Sequence, residues 1–221
     1  MNRLAILIII FLLSSCARID EEVVFHWKVI ESAGDFAQFV DPMIGTAGHG
    51  HTFPGATAPF GMVQLSPDTR VDGSWDGCSG YHYSDSVIFG FSHTHLSGTG
   101  CSDYGDILLM PGKGEIHYTN GTDGKRGYGS RFSHADEKAE AGYYSVELVD
   151  PGIKAELTAS PRVGMHRYSN PEWIVLDLAH RDEVLATHLE VVNDHTIRGY
   201  RFSKAWATDQ RLWFYAEFSE P

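Results

Sequence analysis

Along most of this 221-residue chain, apolar and polar side chains alternate, with no sustained spacing of three or four. A period of two marks extended backbone, because successive side chains leave a strand on opposite sides. Over 142–150, Tyr144, Val146 and Leu148 fall on one side, with Ser145 and Glu147 on the other. Over 153–160, Ile153, Ala155 and Leu157 oppose Lys154, Glu156 and Thr158, and Pro151-Gly152 supplies the turn between the two runs. Similar runs predict strands over 61–65, 87–91, 107–110, 115–119, 163–168, 173–178, 184–192, 196–202 and 212–218, with a tight hairpin turn at Asn193-Asp194-His195. About a dozen short strands with polar outer faces bury their apolar rows most simply between two stacked sheets. The expected fold is therefore all-β, a large antiparallel β-sandwich.

The alternation is absent at the amino terminus. Arg3 precedes an unbroken apolar run from Leu4 to Leu13, followed by Ser14, Ser15 and Cys16. That run is about half the ~20 residues a bilayer-spanning helix needs. Small residues before a cysteine resemble a lipobox, so 1–15 reads as a lipoprotein signal peptide whose removal frees Cys16 for lipidation. An ordinary secretory signal cut nearby is the alternative, and either one takes the chain out of the cytoplasm. The polar stretch 16–35 then reads as a lipid-anchored tether and 36–221 as the folded domain. This predicts a lipoprotein of the outer membrane facing the periplasm or the cell surface.

Seventeen Lys and Arg against 29 Asp and Glu give a net charge of −12, which would repel a phosphate backbone, so nucleic acid is not expected as a partner. Besides Cys16, Cys78 and Cys101 remain. An exported protein allows them to pair, but sequence cannot test the required geometry, and the question stays open.

Candidate chemistry concentrates between Trp75 and Met110. Trp75, Tyr81, His82, Tyr83, His93 and His95 sit here among turn residues, although ordering such wide side chains is costly for a purely structural loop. Rings with polar tips suit sugars: an indole packs on the C–H face of a pyranose while a carboxylate such as Asp76 accepts from its hydroxyls. The pairs His49/His51 and His93/His95 also allow a zinc reading. No Cys-x-x-Cys or His-Glu-x-x-His accompanies them, so loop packing or ligand binding ranks above a metal. Glycoside hydrolysis requires two carboxyl groups flanking the bond. Asp76, Asp85, Asp103 and Asp106 are candidates by position, though each could instead cap a turn.

The run from Val40 to Ala56, VDPMIGTAGHGHTFPGA, followed by Pro59 to Arg70, closely resembles the start of glycoside hydrolase family 92. Trp75 to Tyr83, Gly90 to Cys101 and Gly105 to Pro111 look like further amino-terminal blocks of that family, and Gly142 to Val146, Ala155 to Thr158 and Trp206-Ala207 extend the likeness. The resemblance implies the supersandwich-like amino-terminal domain of a two-domain, calcium-dependent, inverting exo-α-mannosidase. Its partner would be the (α/α)6 catalytic domain of the same parent polypeptide, and its substrates α-mannosides of N-glycans or mannan. The acid, the base and most of the calcium shell would belong to that barrel, leaving no catalytic residue and no metal ligand expected here. By matching motifs, Trp75, Asp76, Cys78, His93 and His95 are expected to line one wall of the mannose pocket. The rival from another class is a non-catalytic carbohydrate-binding surface lipoprotein; a weaker third is a zinc hydrolase using His49, His51, His93 and His95.

Overall fold

The computed structural model describes residues 36–221. The expected signal peptide and tether, with Cys16, fall outside the described residues. Fourteen strands are formed among those described: β1 (Ala56–Thr57), β2 (Gln64–Asp68), β3 (Val87–Ile88), β4 (Gly90–Ser92), β5 (Leu108–Gly112), β6 (Ser130–Arg131), β7 (Lys138–Glu140), β8 (Tyr143–Leu148), β9 (Ile153–Ala159), β10 (Gly164–Tyr168), β11 (Trp173–Asp177), β12 (Glu183–Asn193), β13 (Thr196–Lys204) and β14 (Gln210–Glu217).

Two sheets make the sandwich. One runs β1-β2-β4-β5-β11 and the other β10-β9-β8-β7, with every pairing antiparallel. The rows expected to face inward do so: Tyr144, Val146 and Leu148 from β8 and Ile153, Ala155 and Leu157 from β9 are buried. They meet Ala56, Leu65, Phe91, Leu108 and Met110 of the facing sheet in one apolar core. Each fully buried large side chain contributes about 1.5–3 kcal/mol, which is what holds the two layers together. Gly90 sets how closely β4 approaches β5. Its φ is +151°, and a Cβ there would lie 2.4 Å from a Leu108 methyl. The strand expected over 87–91 is accordingly split at Phe89 into β3 and β4.

Two expectations are corrected. The segment 115–119 forms bends and irregular backbone, not a strand. Both edges of β5 are taken by β4 and β11, and Gly114, at φ +73°, turns the chain away. The last three strands form a sheet of their own, ordered β12-β13-β14, and β3 pairs with β6 in another. Alternation reveals strands but not which sheet they join. The hairpin turn, at Asp194-His195, is as expected, with Asn193 opposite Thr196.

A buried polar seam links β13 to the sandwich. The Arg201 guanidinium is fully buried and donates to the Asp106 carboxylate, to the Arg181 carbonyl and, at 2.9 Å, to the Leu178 carbonyl. Asp106 also accepts from Thr94 Oγ1 at 2.9 Å and from Gln210 Nε2 at 2.5 Å. A buried charge is tolerable only with such pairing and hydrogen bonding, so this seam fixes where β13 and β14 lie.

Candidate functional site

Two loops build the site. In the first, 43–52 folds back on itself so tightly that a Cβ on Gly50 would stand 2.1 Å from the Gly45 carbonyl oxygen. The turn brings His49 and His51 to the same place, with His51 in the left-handed region at φ +55°. In the second, Ser74 leads into a short 3-10 turn over Trp75–Gly77. Gly98 N donates to the His51 carbonyl at 2.6 Å, joining the 97–101 loop to the first. Gly100 lacks the Cβ that would collide with the Trp75 ring at 2.6 Å.

Trp75 is 60% exposed, an indole face left open to solvent. Its ring meets His51 edge to face, with centroids 4.9 Å apart. Beside it, His49 Nδ1 donates to Asp76 Oδ1 at 2.6 Å, and His51 Nε2 lies 3.7 Å from the same oxygen. The hydrogen bond from His49 holds the Asp76 carboxyl below the usual carboxylate range. Partial desolvation opposes it, while His51 and His82 act in the same direction. Asp76 is thus an ionised acceptor on a half-open surface next to an aromatic face, a pairing suited to a polyol ring.

Gly50→Ala is expected to destabilise the fold by about 1–3 kcal/mol, since the added methyl meets backbone and not a flexible side chain. Urea unfolding checks this; an unchanged midpoint would show that the turn has room to relax.

The other residues expected at the site are placed differently. Cys78 is buried, and its carbonyl accepts from Arg181 Nη2 at 2.9 Å. Cys78 and Cys101 are both free thiols, so no disulfide forms. His95 is buried, with Nδ1 2.8 Å from the Gln64 carbonyl and Nε2 3.1 Å from Asp68 Oδ1. His93 bridges the two sheets: Nδ1 donates to the Ile107 carbonyl at 2.6 Å, while Nε2 sits 3.0 Å from His166 Nε2. Burial lowers the pKa of both imidazoles, His166 well below its ordinary value. Tyr81 belongs to the core, its hydroxyl donating to Glu137 at 2.9 Å.

The candidate acids sort the same way. Asp85 is clamped by Arg70, Asp103 accepts from the Tyr104 and Ala207 amides, and Asp106 holds Arg201. Of the four, only Asp76 stands free of such a structural bond to arginine or backbone, and no second carboxylate of the set joins it. The buried partners His180, Arg181 and Arg201 escaped the sequence reading. Each is a single residue in a strand or turn, and no spacing marks it as half of a tertiary pair.

The open indole, the ionised carboxylate and the glycine-shaped loops lie together on an antiparallel β-sandwich domain. The profile of the glycosyl hydrolase family 92 N-terminal domain matches residues 39–221, and the chain belongs to that family. It superposes on the family GH92 α-mannosidase BT3965 of Bacteroides thetaiotaomicron with a TM-score of 0.77 and 42% identity, covering 84% of this chain and 26% of that one. The inverting GH92 mannosidase BT2199 of the same species gives a TM-score of 0.64 at 25% identity over 86% of this chain and 30% of its own. An uncharacterized secreted glycosidase of Arthroderma benhamiae is 34% identical over 140 residues, 62% of this chain and 18% of that protein. The chain therefore spans less than a third of each of these relatives.

Proposed function

We propose that this chain is the amino-terminal sandwich of an exo-acting, inverting α-mannosidase and supplies one wall of its mannose pocket. The substrates are α-mannosides of glycoprotein N-glycans or of mannan. Trp75 beside the ionised Asp76 carries the reading: one offers area to a sugar face, the other accepts from its hydroxyls. Cys78 and the loop through His93 and His95 support that wall from behind, since their side chains are already engaged or buried.

Bond cleavage is assigned to the remainder of the parent polypeptide. Inverting hydrolysis needs two carboxyl groups about 6.5–9.5 Å apart, and the candidate carboxylates other than Asp76 are locked in structural bonds. Calcium is assigned there too. The one cluster of three metal-capable side chains among the described residues has two imidazole nitrogens, a poor match to an ion that takes oxygen donors. Export is part of the same proposal, with Cys16 lipidated and the domain held at the outer membrane. The secreted fungal relative agrees with work outside the cytoplasm.

The test is turnover of an α-mannoside. The complete polypeptide should hydrolyse it and residues 1–221 alone should not. Within the complete protein, Trp75→Ala should lower kcat/KM by about 10- to 100-fold, equivalent to losing the ~1.5–3 kcal/mol of a buried aromatic contact. Activity of the isolated chain, or an unaltered kcat/KM in the variant, would refute the proposal.

A further inference from the structure

We propose that His49, His51 and Asp76 form a binding site for a divalent transition metal of the zinc class, open on the side facing solvent. One ligand atom from each residue lies within 4.8 Å of the others. No ion is needed to hold them there, because the turn at Gly50 and the tie from Gly98 to the His51 carbonyl already do so.

The decisive atom is His51 Nε2. Its side chain is 7% exposed, and this nitrogen is buried with no hydrogen-bond partner. An unsatisfied buried polar atom is destabilising. This one is aimed at the oxygen that His49 also contacts. A metal replacing the His49 proton would satisfy all three groups at once. Zinc binds imidazole nitrogen and carboxylate oxygen at about 2.0–2.2 Å, so the donors need only draw together, and His49, whose side chain is 79% exposed, is free to move.

The donor set selects the metal. Two imidazoles and one carboxylate suit zinc, cobalt or nickel and not calcium or magnesium. Three protein ligands leave a coordination position for water or a hydroxyl, beside the Trp75 ring. The other histidine pair does not contribute: His93 is bonded to the Ile107 carbonyl and His166, and His95 to Asp68 and the Gln64 carbonyl. The site follows from these three side chains and not from the mannosidase reading, so either can fail without the other.

Isothermal titration of the untagged, chelator-stripped full chain with zinc chloride tests this. One equivalent should bind, Asp76→Asn and His51→Ala should each weaken it at least tenfold, and His195→Ala, in the exposed β12–β13 turn, should leave it unchanged. Cobalt should give the visible d–d absorption of a four- or five-coordinate ion that His49→Asn abolishes. His49 is exposed enough that this variant keeps the fold, verified by circular dichroism, should His51→Ala fail to fold. Absence of stoichiometric zinc uptake, uptake indifferent to His49→Asn and Asp76→Asn, or a preference for calcium at these residues would each overturn the site.

Discussion

Replacing Arg201 with methionine is expected to destabilise the domain by about 3–5 kcal/mol, while replacing Asp106 with leucine in addition should recover only part of that loss, because two carbonyls still lack a donor and Thr94 and Gln210 lose their acceptor. The first change leaves the Asp106 carboxylate buried and short of its cationic partner, with the Leu178 and Arg181 carbonyls also abandoned. The second removes the orphaned charge, and two apolar side chains of similar volume can then fill the space. Chemical denaturation of the two single variants and the double variant measures the coupling. Additive losses would show that the pair is energetically independent and that the β12-β13-β14 sheet is held in place by apolar contact instead.

Acid should act through a different buried carboxylate. Asp68 is closed off from solvent, with His95 Nε2 3.1 Å from Oδ1 and His180 Nε2 3.4 Å from Oδ2. Burial pushes its pKa up, but His95 and His180 together outweigh that and hold it well below the ordinary value. A carboxyl depressed in the folded state stabilises fully above its unfolded pKa of ~3.9 and loses that contribution as pH falls toward the depressed value. Stability should therefore fall steeply below about pH 4. Asp68→Asn should cost about 1–3 kcal/mol near neutrality, because it replaces the buried acceptor that both imidazoles face, and should flatten the acid limb. Urea midpoints for both proteins as a function of pH decide the matter. Parallel acid limbs would show that the titration belongs to other groups.

The alternation of Tyr144, Val146 and Leu148 with Ser145 and Glu147 was enough to place β8, and Ile153, Ala155 and Leu157 did the same for β9, because a sheet with one buried face writes a period of two into the sequence. The strands β1, β3 and β6 are each two residues long and leave no such record. Trp75 and Asp76 are legible as candidates because an aromatic among turn residues has no cheap structural reason to be there. Their company is not: His49 stands 27 positions from Asp76, and His-x-His alone does not say which carboxylate it meets.

The sequence by itself determined the all-β class, the inward rows of the central hairpin and the position of the aromatic and acidic loop, all of which depend on neighbours a few residues apart. Only the tertiary structure decided that Tyr81, Cys78 and His95 are interior while Trp75 is open. It alone showed that β12, β13 and β14 form their own sheet, and that Asp106 serves Arg201 rather than a substrate. Those outcomes depend on contacts between residues as far apart as Asp106 and Arg201, where burial turns one ion pair into a fixed point of the fold, and local pattern carries no trace of the partner.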